Sequence, residues 1–317
     1  MAANTRRSCS EVLKVHTNLG TLAPSRFDCR LVLYNDLLIE DLLDKGQYGS
    51  VYKGIWQGVS IAIKELDDCT DPKEFSDEVW LMSQLDHQNI VKFVGACNAP
   101  KLCILMEFIE GGSLYRVLHV EKRQLDPDSV TSLLTDIAKG LSYLHAQNVI
   151  HRDLKSKNVL LTKEPLRAKL CDFGVSKLQA KDSTQTDDVG TLLWMAPEVV
   201  RSRCHSEGSD VYSYGAVIYE VLTNSLPFSD TKELNHYNIM YLMCMEAKRL
   251  TLPECVLPKT PLQIKYIIDR CLDHSVDMRP PASDLVELLG GVDWEETCSL
   301  GSDTLSDDMD AFDDEGV

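Results

Sequence analysis

His151-Arg152-Asp153-Leu154-Lys155-Ser156-Lys157-Asn158, followed by Asp172-Phe173-Gly174, decides how this chain is read. Asp153 and Asn158 are five residues apart, and Asp172 follows Asn158 by fourteen. Moving a phosphoryl group asks little covalent chemistry of a protein. It asks for a carboxylate at the attacking hydroxyl, oxygen ligands for a divalent cation, and positive charge against the phosphates. This stretch carries residue types that can supply all three. Two motifs in order with so many fixed positions leave little room for coincidence.

Upstream lie two weaker signals. Gly46-Gln47-Tyr48-Gly49-Ser50-Val51 falls on a turn between two strand patterns, where small residues let backbone N–H groups approach phosphates. Glycines at a hairpin turn need no ligand, so this motif alone decides nothing. It is neither a Walker loop nor a dinucleotide fingerprint. Ile61-Ala62-Ile63-Lys64 is a strand ending on a lysine, and Glu78 follows Lys64 by fourteen residues on a helical pattern. Such a lysine is either a solvated strand residue or a phosphate ligand held by the glutamate.

The texture of the chain changes along its length. Ser50–Lys53 and Val59–Lys64 read as hairpin strands with a turn at Gln57-Gly58. Asp71-Pro72 reads as an N-cap and first helical residue, with Phe75, Val79, Met82 and Leu85 on one stripe. Two apolar runs follow, Ile90–Ala96 and Leu102–Phe108, before Gly111-Gly112 breaks the pattern. Asp126-Pro127 opens a helix with Val130, Leu133, Leu134, Ile137, Leu141 and Leu144 at 3.6-residue spacing. Further helices are expected at Asp210–Leu222, Pro261–Leu272 and Ala282–Leu289. The expected class is therefore α+β: a small β-rich lobe with one helix, a larger helical lobe, and a ligand cleft between them.

Composition bounds the rest. The 317 residues exceed the size at which one core keeps growing. The net charge of -17 argues against a general nucleic-acid or anionic-membrane binder. Ten acids and no base lie between Asp293 and Val317, which leaves -7 on the other 292 residues. No apolar run nears the ~18 residues of a membrane span. The opening MAANTRRSCSEVLKV lacks the apolar core of a secretory leader, and eleven scattered cysteines cannot all pair within the chain. A reducing compartment is expected: the cytoplasm, with the nucleus also open.

These motifs resemble those of the eukaryotic protein kinases, over about residues 34–290. Gly190-Thr191-Leu192-Leu193-Trp194-Met195-Ala196-Pro197-Glu198, Ser209-Asp210-Val211-Tyr212-Ser213-Tyr214-Gly215 and Asp277-Met278-Arg279-Pro280 extend the resemblance. Leu154-Lys155 and Gly190-Thr191 look most like the tyrosine-kinase-like group, the Raf-like and mixed-lineage kinases, which act mainly on Ser and Thr. The resemblance implies a bilobal kinase fold, with an N-lobe over about 34–109 and a C-lobe over about 110–290. It leaves a flexible or docking N-terminal arm (1–33) and, separately, an acidic tail (291–317) that is expected to be disordered.

It also implies roles. Lys64 would grip the α- and β-phosphates of ATP, with Glu78 orienting it. Asp153 would be the base, and Lys155 would lie on the γ-phosphate. Asn158 and Asp172 would ligate Mg²⁺, with Mn²⁺ as the alternative ion. Gly46 and Gly49 would cover the phosphates, and Val51, Ala62 and Leu160 would sandwich the adenine. Glu107 to Ile109 would form the hinge, with Met106 before it. Met82, Phe93, His151 and Phe173 match stacked apolar residues, and Glu198 with Arg279 matches a structural ion pair. Thr191 would shape the substrate pocket. Ser183, Thr184 and Thr186 are candidate phosphosites for an upstream activating kinase, since Arg152 precedes Asp153. Cys171 is either a small buried hydrophobe or a thiol open to labelling from the nucleotide side.

One position departs from the family. Its loop reads G-x-G-x-x-G, and here Asp44 stands at the first glycine. An acid pointing inward would weaken phosphate binding. The expected function is intracellular transfer of the γ-phosphate of Mg·ATP to Ser/Thr hydroxyls of protein substrates. A dual-specificity enzyme and a catalytically weak scaffold are the alternatives.

Overall fold

The computed structural model describes residues 30–46, 49–67, 69–173, 189–229, 238–241 and 248–295. Five antiparallel strands open it: β1 (Leu38–Gly46), β2 (Gly49–Trp56), β3 (Val59–Leu66), β4 (Phe93–Cys97) and β5 (Cys103–Glu107). Their order in the sheet is β1-β2-β3-β5-β4. The β2–β3 turn at Gln57-Gly58 has φ of 51° and 78°, the left-handed pair that a two-residue hairpin turn requires. In β3, alternation sorts side chains onto two faces. Ile61 and Ile63 pack outward with Val32, Trp56, Cys97, Cys103 and Leu105. Ala62 and Leu66 belong to the main core, so period two carries Lys64 to that same inner face.

Helix α1 (Pro72–Gln84) crosses between β3 and β4. The Asp71 carboxylate accepts the Lys73 N–H at 2.8 Å, and Pro72 supplies the first helical residue. Phe75, Glu78, Val79 and Met82 form its buried stripe. Each apolar member contributes about 1.5–3 kcal/mol of burial. Glu78 is a carboxylate on an otherwise apolar face, so its burial demands a partner.

The second lobe is helical. Helix α2 (Pro127–Ala146) is capped by Asp126, which accepts the Ser129 N–H at 2.9 Å. The hairpin of β6 (Val159–Leu161) and β7 (Ala168–Leu170) packs on α2. Two short helices follow, α3 (Val189–Leu192) and α4 (Pro197–Ser202), then α5 (Glu207–Thr223), α6 (Leu262–Cys271) and α7 (Ala282–Leu289). Helix α5 is buried on almost every side, which makes it the axis of this lobe. It starts three residues earlier than Asp210 because Ser206 and Ser209 form a reciprocal capping box. Among the described residues, no helix is long and apolar enough to cross a membrane.

Within the apolar run Ile90–Ala96, β4 begins only at Phe93, while Ile90 bridges to Leu170 of the other lobe. That bridge continues one core from the sheet into the helices. The segment 151–158 lies under this junction, between α2 and β6.

Candidate active site

The start of the loop 151–158 is held from below by one carboxylate. Asp210 of α5, 1% exposed, accepts the backbone N–H of His151 at 2.7 Å and of Arg152 at 2.9 Å. It also pairs with His145 Nε2 at 2.9 Å. Arg152 sits at φ 68°, a left-handed conformation that an L-residue holds only when its surroundings fix it. Burial pulls the Arg152 guanidinium below its usual value, and Asp210 partly offsets this.

Asp153 follows, 6% exposed, with Lys155 Nζ at 3.0 Å from Oδ2. Lys155 Nζ also donates to Thr191 Oγ1 at 2.9 Å, which ties α3 to the loop. Asn158 Nδ2 donates to the Asp153 backbone oxygen at 2.7 Å and to Asp153 Oδ2 at 3.0 Å. With both amide protons committed to Asp153, the Asn158 carbonyl oxygen is turned the other way.

The opposite wall comes from the sheet. Lys64 Nζ lies 3.2 Å from Glu78 Oε1 and 2.7 Å from Asp172 Oδ1, which joins β3, α1 and the segment after β7. Burial lowers the Lys64 pKa, but the charges of Asp172 and Glu78 more than reverse this and hold it well above the ordinary lysine value. Asp172 occupies the left-handed region at φ 58°. Phe173 beside it is buried and meets His151 edge-on, ring centroids 6.1 Å apart. Met82 and Phe93 belong to the same core cluster, so the four stacked residues expected from the sequence share one body.

Above the site, Val51, Ala62, Met106, Ile109 and Leu160 also fall in that cluster, with Ala62 opposite Met106 across β3 and β5. Gly46 and Gly49 close the β1–β2 turn. Gly49 has φ 138°, and a Cβ there would lie 2.1 Å from the Glu65 backbone oxygen, so no other residue fits. Asp44 adopts ordinary strand backbone, exposed, and its carboxylate accepts the Lys45 N–H at 2.9 Å. Its charge is therefore screened by water.

The Glu107 carboxylate takes Lys169 Nζ at 2.6 Å and the Lys92 N–H at 2.8 Å, so the hinge is clamped from behind by both lobes. A cavity of about 280 Å³, lined by Gln88, Asn89, Arg167 and Lys169 among others, lies on this rear side, and Lys169 joins it to the hinge.

The structure thus brings Lys64, Glu78, Asp153, Lys155, Asn158, Asp172 and Thr191 together from five separate segments. Ser183, Thr184 and Thr186 lie outside the described residues. The donors facing the cleft are oxygens from Asp153, Asn158 and Asp172, a set that fits a hard divalent cation that keeps some of its waters. Among the described residues no group of three or more His, Cys, Asp or Glu that could hold a metal ion exists, and this set has two carboxylates and one amide.

Two positions carry more than sequence reasoning gave them. Asp210 was visible only as part of a motif, yet it fixes the catalytic loop. Glu220, fully buried in α5, accepts from Ser156 Oγ at 2.7 Å and Trp194 Nε1 at 2.6 Å, and pairs with His119 Nε2 at 2.7 Å. The available signal was a carboxylate inside the apolar run Ala216–Leu222, which must find donors.

Comparison with known proteins agrees with this geometry. The family profile described as protein tyrosine and serine/threonine kinase matches residues 37–289. The chain is similar to serine/threonine-protein kinase STY46 of Arabidopsis thaliana, 37% identical over 249 residues, covering 77% of this chain and 42% of that protein. It is also similar to STY17 of the same plant, 34% identical over 292 residues, covering 89% and 49%. Dual specificity protein kinase shkC of Dictyostelium discoideum is 36% identical over 267 residues, covering 81% and 51%. STY46 and STY17 are Raf-like kinases of the tyrosine-kinase-like group, the placement that the motifs implied. The chain spans about half the length of these relatives. With a family match over most of its own length and the catalytic motifs converging in space, the chain belongs to the protein tyrosine and serine/threonine kinase family.

Proposed function

We infer that this protein is a serine/threonine kinase that transfers the γ-phosphate of ATP to protein hydroxyls, with Mg²⁺ as the working ion and Mn²⁺ as a substitute. The observation that carries this reading is the convergence of the Lys64–Glu78–Asp172 bridge with the Asp153–Lys155–Asn158 group. Every charged group that phosphoryl transfer requires is present and oriented by a second group.

In this reading Glu78 keeps Lys64 extended from β3 toward the α- and β-phosphates. Asp153 accepts the acceptor hydroxyl's proton as the new O–P bond forms and the bond to ADP breaks. Lys155 compensates charge on the phosphoryl group in flight, and Thr191 holds Lys155 near the acceptor. Asn158 and Asp172 would hold the divalent cation, which neutralises phosphate charge when bound. Val51, Ala62 and Leu160 cover the two faces of the adenine, Met106 bounds its rear, and the backbone of Glu107 to Ile109 meets its edge. Gly46 and Gly49 let the turn approach the phosphates.

The kinase domain extends over about 34–290 (N-lobe 34–109, C-lobe 110–290), with an arm at 1–33 and an acidic tail at 291–317. Ser183, Thr184 and Thr186 are proposed targets of an upstream kinase. The cytoplasm, with the nucleus also open, suits a chain whose described cysteines are free thiols. The dual-specificity name of the shkC relative keeps transfer to tyrosine as a second reading.

The test is phosphate transfer from Mg·ATP to a mixed Ser, Thr and Tyr peptide pool. Wild-type protein is expected to label Ser and Thr, and Asp172→Asn is expected to abolish labelling. Wild-type protein that binds ATP without transferring phosphate would overturn the reading in favour of a scaffold.

A further inference from the structure

We propose that Cys97 and Cys103 form a peroxide-sensitive dithiol in the small lobe, a modification site that closes to a disulfide across β4 and β5. The inference does not depend on the kinase reading above. The two residues are directly opposed in the β4–β5 ladder. Both are 0% exposed, and they share the outer apolar cluster of the sheet with Val32, Trp56 and Leu105. Directly opposed residues of an antiparallel pair have Cα atoms about 4.5 or 5.5 Å apart. A disulfide spans Cα separations of about 4.4–6.8 Å, so it closes here without moving either strand. Among the described residues, no other two cysteines oppose each other in a sheet.

The surroundings give the two thiols unequal roles. Cys103 acts as donor to Cys97 and favours the Cys97 thiolate by more than burial opposes it. The same contact, together with burial, pushes the Cys103 thiol far above its ordinary value. Cys97 is therefore the nucleophile and Cys103 the resolving thiol. The Cys97 sulfur attacks one oxygen of hydrogen peroxide. The O–O bond breaks, the departing hydroxide leaves as water with the Cys97 proton, and Cys97 becomes a sulfenic acid. The Cys103 sulfur then attacks the Cys97 sulfur. The S–S bond forms as the S–O bond breaks, and the second hydroxide leaves as water with the Cys103 proton. One peroxide is reduced to two waters while two thiols are oxidised to one disulfide.

Access comes from the edge of the sheet. The order β1-β2-β3-β5-β4 leaves β4 outermost. Cys97 and Cys103 form the last rung of the ladder, beside the exposed connection 98–101. At the opposite end the hairpin is held where the Glu107 N–H donates to the Lys92 carbonyl at 2.9 Å. Local opening therefore starts at the end that carries both thiols. In a reducing compartment the dithiol is the resting form and the disulfide a transient one.

The experiment uses the full chain, reduced and then exposed to hydrogen peroxide. Remaining thiols are blocked with N-ethylmaleimide in urea before trypsin digestion without reductant. Trypsin cuts after Lys92, Lys101 and Arg116, which puts the two thiols on separate peptides, 93–101 and 102–116. Mass spectrometry is expected to find these peptides joined, about 2 Da lighter than their sum, and parted by dithiothreitol. Cys103→Ala is expected to leave a Cys97 sulfenic acid that dimedone labels, whereas Cys97→Ala leaves Cys103 as a thiol. Amide exchange across 93–107 should slow on oxidation of the wild-type chain and in neither variant. Recovery of both wild-type peptides as maleimide adducts, at peroxide levels that oxidise exposed Cys69, Cys204 and Cys255, would overturn the inference. So would Cys97 or Cys103 joined to any other cysteine in place of each other. Both of these outcomes are read on the wild-type chain, so the folding of the variants does not decide the matter.

Discussion

Replacing Asp210 with asparagine tests how the catalytic loop is held in place. Of the three groups that Asp210 binds, Oδ2 takes His151 N–H and His145, and Oδ1 takes Arg152 N–H. Asparagine keeps one oxygen, so at least one of these donors would face an NH₂ group. Losing a charge-assisted bond in a buried site costs about 1.5–3 kcal/mol. The Arg152 backbone, at φ 68°, then loses part of the clamp that holds a conformation costing roughly 1–3 kcal/mol. The expected loss of stability is about 2–4 kcal/mol, and for a domain of this size each kcal/mol lowers Tm by roughly 2–4 °C. Activity should suffer more than stability, because Asp153 is the next residue in the chain. A displacement of about 1 Å costs on the order of 100-fold in rate. The loss should fall on kcat, with KM for ATP nearly unchanged, since Asp210 touches none of Lys64, Ala62 or Val51. Steady-state kinetics and urea denaturation on the same preparation read both effects. A variant with wild-type kcat and a Tm within about 2 °C would refute this account of the loop.

Three further outcomes are expected. Glu198→Gln leaves the Arg279 guanidinium, whose side chain is 0% exposed, without its bidentate partner at 2.7 and 2.9 Å; stability should fall by about 3–5 kcal/mol at an unchanged denaturant slope, and a loss below about 1 kcal/mol would contradict it. Burial pushes the Cys171 thiol far above its usual value, so at neutral pH mass spectrometry should find it alkylated much more slowly than exposed Cys69, Cys204 and Cys255; equal rates would sink the idea. Burial, together with Arg201, Arg249 and Arg279, holds the His274 pKa below 6.5, and the unfolded chain therefore takes up that proton first. Stability should be intact above pH ~6.5 and decline below it, more shallowly in His274→Gln, as read from urea midpoints; an identical pH slope in that variant would rule this out.

Much of this was written in local sequence. Asp71-Pro72 and Asp126-Pro127 place the starts of α1 and α2, because caps and helical periodicity act over a few residues. The Gln57-Gly58 turn and the alternation in β3 place Lys64 on the inner face for the same reason. The ordered motifs around Asp153 and Asp172 supplied the candidates for the site, and the structure brings those candidates together.

Other features depend on residues that are far apart in the chain. The sequence could not show that Asp44 points to water, that Glu107 is clamped by Lys169, or that the Cys171 thiol faces the Asn158 backbone oxygen. Nor could it show that one carboxylate of α5 holds the catalytic loop while another, Glu220, is sealed by three donors. Charge and residue type are local properties, whereas burial and pairing here exist only once segments 59 and 64 residues apart are packed together. The sequence by itself determined which residue types stand in the ordered motifs and which family they resemble. The tertiary structure decided which of the remaining charges are buried and paired and which stay exposed, because desolvation and partner geometry are set by packing.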